Sequence, residues 1–305
     1  MGLPGQPSAF SDHFRFQRRD FHPLIAFSDY RVRVPTVDKH ARQRAAQLLL
    51  PLRQCVLAVS VLSDLDVVPS EAGVLLPGPA GMLVRWSEIE QAIGTFPADG
   101  AVARRRVETL LRLHRFVLEL GQDAAEEFHS AARVLALPPG HADHPGPGWA
   151  RETLRGNVLE LGIGVQGLIG DLDRVVALSA AVLEPLGVTP ADWWPALREH
   201  AERMGSLSAT RLARDGVTGL IRPVGGCDVL ALLSSRALRQ YLAGSDGVGM
   251  RALAVPTRRR GWFDVRRVDP GFVRAAWSLT EESERGLPVP LLVTADAVSL
   301  PFALA

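Results

Sequence analysis

The chain has 305 residues, a formal net charge of +1 and a hydrophobic fraction of 47%. This composition excludes an intrinsically disordered tail, which is less apolar, and a uniformly basic chain of the kind that coats nucleic acid. The length suffices to bury a sizeable core in one or two domains.

Arginine has almost replaced lysine, because Lys39 is the sole lysine among 34 basic residues. Glycine (28 residues) and proline (22 residues) are also frequent. Arginine, glycine and proline have GC-rich codons, so we infer a bacterial source with a high-GC genome.

Cysteine content and apolar segments bear on the compartment. Cys55 and Cys227 are the only cysteines, and two distant cysteines do not make a disulfide framework. Residues 1–35 contain no uninterrupted apolar stretch typical of a secretory signal, and no segment offers about 20 consecutive apolar residues for a membrane span. We therefore expect a soluble, cytoplasmic protein.

Residues 1–137 are predicted to form an aromatic N-terminal arm, a hairpin and helices. Aromatic residues and arginines are interspersed in 1–35, which fits a stacking platform for nucleic acid or an arm that packs on the main body. The aspartates among these arginines favour the packed arm. Asp38 is predicted to cap a helix that ends near Leu50, before Pro51.

A β-hairpin and a short helix follow. Residues 73–76 and 82–86 flank a Pro/Gly-rich loop, which predicts the hairpin. Ser87 and Glu90 form a capping-box pattern that predicts a helix closed by Gly94.

Residues 101–120 give the clearest helix, with a broad apolar stripe and arginines around it. We expect 122–137 to continue as helix. Residues 138–149 form a Pro/Gly/His loop, which we interpret as a domain boundary or a mobile loop.

Residues 150–222 are predicted to be a helical region, and residues 223–305 an α/β C-terminal segment. Thr189 followed by Pro190 predicts a helix start, and this helix runs towards Arg214. The predicted elements of the C-terminal segment are helix 229–242, strand 252–255, strand 262–268, helix 269–285 and strand 289–294. The predicted fold class is mixed α+β, helix-dominated, with a smaller strand-containing C-terminal segment.

A glycine-rich motif, Gly162-x-Gly164-x-x-Gly167, follows the strand-like segment Asn-Val-Leu-Glu-Leu. It resembles the first motif of class I S-adenosylmethionine-dependent methyltransferases, in which an acidic residue precedes a Gly-x-Gly turn. The resemblance covers about ten residues and implies that Glu160, Gly162 and Gly164 hold the amino-acid part of S-adenosylmethionine. The alternative is a helix whose glycines admit a closely packed neighbour, and either interpretation predicts an interruption around 162–170.

A basic, aromatic segment occupies residues 258–267, where five arginines surround Trp262 and Phe263. Such a segment can bind an acidic protein surface or a nucleic-acid backbone. The alternative is a solvated edge strand whose arginines face nearby glutamates. The candidate partner-binding residues are Arg258, Arg259, Arg260, Trp262, Arg266 and Arg267.

Metal and nucleophile chemistry find little support. Glu126-x-x-His129 has the spacing of a di-iron bundle ligand pair, but no second such pair exists. His141 and His144 lie in a Pro/Gly loop, which is a poor scaffold for ligands. We predict no metal site, and no nucleophile motif, Walker A motif or H-E-x-x-H is found.

Whether the chain is an enzyme is left undecided by its sequence. Our leading hypothesis is a non-catalytic binding or assembly protein that engages an acidic partner, protein or nucleic acid, through residues 258–267. One alternative is a methyltransferase-like enzyme that uses S-adenosylmethionine. A second is a helical homo-oligomeric assembly module, in which residues 101–135 and 191–214 pair between subunits.

Overall fold

The computed structural model describes residues 39–170, 172, 174–215, 219–244 and 247–301, with side chains from residue 49 onwards except at residue 215. The aromatic arm predicted for residues 1–35 lies outside the described residues. Residues 44–305 form one compact unit, and residues 1–43 belong to another. None of the described helices is long and apolar enough to cross a membrane.

Helices and strands are interspersed along the described chain, so the fold is mixed α+β, as predicted. The helices are α1 (Lys39–Ser63), α2 (Trp86–Ile93), α3 (Ala101–Leu120), α4 (Ala124–Ala131), α5 (Ala180–Leu183), α6 (Pro190–Asp215), α7 (Val229–Leu232), α8 (Arg236–Gly244) and α9 (Pro270–Leu279). The strands are β1 (Val68–Pro69), β2 (Gly73–Leu76), β3 (Met82–Arg85), β4 (Ala132–Leu137), β5 (Glu152–Thr153), β6 (Glu160–Gln166), β7 (Val175–Ala177), β8 (Leu220–Ile221), β9 (Met250–Thr257), β10 (Arg260–Trp262), β11 (Leu291–Thr294) and β12 (Val298–Ser299).

The described strands form three antiparallel sheets. The first has the order β1-β2-β3, and the second has the order β4-β6-β5 with β7 also paired to β6. The third has the order β12-β11-β9-β10-β8. Strands therefore occur along most of the described chain and are not confined to its C-terminal segment.

Several local predictions are confirmed. β2 and β3 form the predicted hairpin, with Gly73 opposite Arg85. α3 has the predicted bounds, and α2 ends at Gly94, whose φ of 64° is one that glycine adopts readily. α6 begins at Pro190, as the capping pattern indicates.

Other predicted boundaries are wrong. α1 continues through Pro51, since burial of Cys55, Val56 and Val59 beyond it offsets the roughly 3 kcal/mol cost of an internal proline. The predicted capping box does not form: Arg85, two positions before Ser87, precedes the first residue of α2, and no side chain caps the helix there.

Most of the C-terminal elements are also shorter than predicted, whereas β9 (Met250–Thr257) extends the predicted strand 252–255 at both ends. β10 ends at Trp262, and the chain then turns, with Arg267 N donating to Asp264 O. Asp269 caps α9 by accepting a hydrogen bond from Phe272 N, but this helix ends at Leu279. The predicted helix 229–242 is divided into α7 and α8.

The central region requires the largest correction. Residues 132–137 form β4, and residues 152–177 contribute β5, β6 and β7, in regions that are predicted from the sequence to be helical apart from the strand-like segment 157–161. β4 pairs with β6 along its whole length. Because both faces of this pair are largely buried, its apolar residues do not alternate with polar ones, and a short apolar run of this kind cannot be told from a buried helix.

Gly162 and Gly164 lie within β6, so the Gly-x-Gly turn does not form, and the predicted interruption around 162–170 falls at its end, where β6 stops at Gln166 and Gly167 and Gly170 adopt φ values of 72° and 75°. Alternate residues of a strand point to the same face, and here that face receives a second, small core. A Cβ at position 162 would overlap the indole of Trp149, and one at position 164 would stand 2.6 Å from a methyl carbon of Val175. These glycines therefore make room for neighbouring side chains.

We predict that Gly162→Ala destabilises the protein by about 1–3 kcal/mol, the usual cost of overpacking a close-packed core. The new Cβ would stand 2.6 Å from Cζ2 and 2.7 Å from Cδ2 of Trp149, a buried ring whose Nε1 donates to Ile163 O. Equilibrium denaturant unfolding measures this cost. Gly244→Ala is the matched control, because nothing lies within 4 Å of the added Cβ there, and an equal loss in both variants would contradict the explanation.

Candidate functional site

The loop 138–149 is ordered by its own histidines. His141 Nδ1 accepts a hydrogen bond from Asp143 N (3.0 Å), and His141 Nε2 donates to Arg285 O (3.0 Å). His144 repeats the pattern, because its Nδ1 accepts from Gly146 N (3.1 Å) and its Nε2 donates to the Glu160 carboxylate (2.7 Å). Each accepting Nδ1 places the proton of a neutral ring on Nε2.

Burial is the main cause that lowers the pKa of both rings. For His141, Asp143 opposes the shift and Arg258 adds to it; for His144, the bond to Glu160 opposes it. No group of three or more His, Cys, Asp or Glu side chains suited to a metal occurs among the described residues. In the described structure, these two histidines shape a loop.

Arg106 fixes this loop to the helices beside it. Its guanidinium donates to Ala142 O (2.8 Å) and His141 O (2.7 Å), and by longer bonds to two carbonyl oxygens at the end of α2. The same group lies 4.5 Å from the ring centre of Phe96. Burial lowers the pKa of Arg106 to about 10, an effect that Asp143 opposes, so the group is still charged near neutral pH.

A cavity of about 750 Å³ lies between α2, α3, the loop 138–149, β7 and the segment 179–190. Most of its walls are apolar. They include Leu110, Leu113, Trp149, Val176, Ala177, Ala180 and Val188. At the rim, Arg85 bridges α2 to the turn after α5, with its guanidinium bonded to Glu88 (2.6 Å) and Glu184 (2.9 Å).

Asp143 forms the centre of the polar end of the cavity. Its side chain is 8% exposed, and Oδ1 accepts no hydrogen bond from the described residues. Arg105 Nη1 and Arg174 Nη2 stand 3.7 and 3.9 Å from this oxygen, beyond hydrogen-bond distance, and Arg258 Nη1 stands 3.9 Å from Oδ2. A buried carboxylate oxygen that accepts no hydrogen bond is unusual, and the three arginines around Asp143 offset its charge.

Further unpaired polar atoms lie on the same cavity wall. Arg105 Nη1, Arg174 Nε and Ser179 Oγ are buried and have no hydrogen-bond partner among the described residues. Two other guanidinium nitrogens near Asp143 have carboxylate partners. Arg105 Nη2 lies 3.1 Å from Glu282, and Arg258 Nη2 lies 2.6 Å from Asp228. The residues that carry these unpaired donors and this unpaired acceptor line one cavity, and the unpaired atoms themselves are enclosed by protein.

The structure separates the residues of the predicted basic, aromatic patch. Arg258 is 6% exposed and is paired with Asp228, so it is not the surface contact that the sequence predicts. Arg259 lies 2.9 Å from Glu284, and Arg267 lies 2.9 Å from Asp264. Trp262 packs edge-on against Phe272, whereas Arg260 and Arg266 are exposed.

The residues predicted for S-adenosylmethionine lie on the central sheet. Glu160 accepts the hydrogen bond of His144, and Gly162 and Gly164 pack under Trp149 and Val175. The Gly-x-Gly turn that the resemblance requires is not formed. Trp149, packed on Gly162, and Ala177, paired with Gly164, connect this motif to the cavity wall.

Sequence reasoning missed Asp143, Arg105 and Arg174 as a group. The available indication was Asp143 itself, a charged residue between two histidines in a loop that otherwise consists mostly of proline, glycine and alanine. Comparisons with protein-family models, curated proteins and solved structures found no match to this chain.

We predict that acidification from about pH 7 to about pH 5 destabilises the protein through His141 and His144. In the unfolded protein, the two rings take up protons below about pH 6.5. Burial lowers the pKa of the folded rings, so the folded protein resists this protonation. The contribution of the two rings to the free energy of unfolding is therefore present above that pH and is lost as the pH falls. The slope is at most about 1.4 kcal/mol per pH unit for each ring.

Thermal unfolding between these pH values measures the slope in the wild type and in His141→Gln. The variant should show the smaller pH dependence, because Gln does not titrate. The matched control is His129→Gln, in which an exposed histidine is removed and the wild-type slope should persist. A wild-type slope in His141→Gln would show that the ring does not cause the effect.

Proposed function

We propose that this chain binds a small molecule with an apolar body in the cavity between α2, α3 and the loop 138–149. The observation that carries this proposal is the cavity itself, whose largely apolar walls meet the charged side chains of Asp143, Arg105 and Arg174 at one end. Ligand sites typically combine apolar walls with a few convergent polar groups.

The size of the cavity supports the same proposal. Its volume of about 750 Å³ is within the range of about 300–1,000 Å³ typical of small-molecule pockets. Its walls come from segments far apart in sequence, and Arg106 ties the loop 138–149 to α2 and α3. The proposed site is thus largely preformed.

The function predicted from the sequence, binding of an acidic protein or nucleic acid through residues 258–267, stays a prediction. Its exposed basic side chains are Arg259, Arg260, Arg266 and Arg267. Intramolecular carboxylates already pair with Arg258, Arg259 and Arg267, which weakens the case for this surface relative to the cavity. Assembly through helices also stays a prediction.

We predict that Ala180→Trp weakens binding of the uncharged fluorophore N-phenyl-1-naphthylamine. Ala180 lines the cavity and is exposed, so an indole there can occupy the cavity without repacking the core. Losing the burial of one aromatic ring costs about 1.5–3 kcal/mol, which corresponds to a dissociation constant raised about tenfold or more. Fluorescence titration gives this constant.

Ala213→Trp provides the matched control, because Ala213 is exposed on α6 and is not part of the cavity wall. This variant should bind the fluorophore as the wild type does. Circular dichroism verifies that both variants are folded. Equal affinity in all three proteins, or no binding to the wild type, would contradict the proposed function.

A further inference from the structure

We propose that the ligand of this cavity is a short, extended peptide with apolar side chains, which pairs as an added strand with the free edge of β7. This inference rests on the proposed function and names the chemical class of its ligand. It follows from the hydrogen bonds of β7 and from the position of the cavity beside that strand.

β7 (Val175–Ala177) has a partner strand on one side. It pairs with β6 in antiparallel orientation, and no other strand in the described part of the chain pairs with it. A strand at the edge of a sheet presents unpaired N–H and C=O groups, which can pair with another chain. One side of β7 is therefore open to an added strand.

Two hydrogen bonds to the β6 side identify the backbone groups of β7 that point to its free edge. Leu178 N donates to Ile163 O (2.9 Å). At the other end of the strand, Gly167 N donates to Arg174 O (3.0 Å). Bonded and non-bonded residues alternate along an antiparallel strand. Ala177, one residue before Leu178 and three after Arg174, therefore directs its N–H and its C=O away from β6.

Both backbone groups of Ala177 lack a hydrogen-bond partner. Neither its N–H nor its C=O takes part in a hydrogen bond with another described residue, although Ala177 is only 4% exposed. Buried backbone polar groups are almost always paired, because an unpaired one costs about as much as a lost hydrogen bond. Ala177 thus requires a donor and an acceptor from outside the described residues.

The cavity lies along this free edge. Its wall includes Val176 and Ala177, which are neighbours in a strand and so point their side chains to opposite faces of the sheet. Val176 packs in the main core, whereas Ala177 packs with Trp149 in the small core. A single cavity that contacts both residues lies beside the strand, and β6 occupies the other side.

A peptide residue supplies both missing groups at once. Its N–H can donate to Ala177 O and its C=O can accept from Ala177 N, as in a bonded pair of an antiparallel sheet. In this mode of peptide recognition, main-chain hydrogen bonds give affinity and pockets for side chains give specificity. The apolar walls, which include Leu110, Leu113 and Val188, suit apolar side chains.

The volume of the cavity limits the length of the peptide. A sphere of about 750 Å³ is about 11 Å across, and a strand rises about 3.3 Å per residue. The cavity therefore accommodates about three residues in extended conformation.

The test removes single N–H groups from the ligand. Trivaline, blocked by acetyl and amide groups, is compared with three esters, in each of which an oxygen replaces one valine N–H. Valine is used because it favours extended strands. Each compound displaces N-phenyl-1-naphthylamine from the wild-type protein, and the fluorescence gives its dissociation constant.

We expect sensitive and insensitive positions to alternate, since neighbouring residues of a strand direct their N–H groups to opposite sides. The ester at a residue that faces Ala177 should bind about tenfold more weakly than trivaline, because the C=O of Ala177 loses its donor. The ester at an adjacent residue should bind as tightly as trivaline.

Ala177→Pro removes the same pairing from the protein side. Proline has no N–H, and it is tolerated in an edge strand where this group points away from the sheet. The bonds of Leu178 and Arg174 to the β6 side do not involve Ala177. Trivaline should bind about tenfold more weakly to this variant. The fluorophore, which has no peptide backbone, is the control ligand and should lose less affinity.

The outcomes separate this inference from the proposed function. Equal weakening of all three esters, weakening at adjacent residues or no weakening at all overturns the strand pairing and retains cavity binding. Failure of trivaline to displace the fluorophore, or equal losses of trivaline and fluorophore in Ala177→Pro, does the same. If the wild type does not bind the fluorophore, the proposed function fails and this inference fails with it.

Circular dichroism verifies that Ala177→Pro is folded. If it is not, the three esters and the wild-type protein decide alone.

Discussion

The hydrogen bonds of Arg106 are the constraint on which the candidate site depends. One guanidinium on α3 joins the loop 138–149, through His141 O and Ala142 O, to the end of α2. Without this group, the carbonyl oxygens of His141 and Ala142 would lose their charged donor, and the loop would keep only its other bonds, such as the one that Gln91 Nε2 on α2 donates to Pro147 O (2.8 Å). Burying a charge is costly, and four carbonyl contacts together with the Phe96 ring compensate for that cost.

The elements that could be predicted are those with local causes. The β2–β3 hairpin follows from its turn residues, α3 from its amphipathic stripe, and the start of α6 from Pro190. β4, β6 and β7 could not be predicted in the same way. Their pairing joins residues such as Leu135 and Gly162, which are distant in sequence, and burial on both faces removes the alternation that marks a strand.

The candidate site was harder to predict, because its residues become a group only in the fold. Asp143, Arg105 and Arg174 come from a loop, a helix and a strand end, and no spacing in the sequence relates them. Conversely, Arg258 and Arg267 are close in sequence yet have different carboxylate partners, Asp228 and Asp264. A run of arginines forms a basic surface only if no carboxylate pairs with these arginines in the fold. The run itself does not show where such carboxylates lie.

The pairing of arginines with carboxylates at the cavity has a kinetic consequence. Arg85 lies 2.6 Å from Glu88 and Arg105 lies 3.1 Å from Glu282, and the field of such a pair falls off over a short distance, so these pairs exert little force on a ligand from afar. The association rate then depends on diffusion and on the shape of the entrance, and added salt should change this rate little. Discrimination between ligands begins only after entry, when the lifetime of the complex reflects the hydrogen bonds that each ligand can complete.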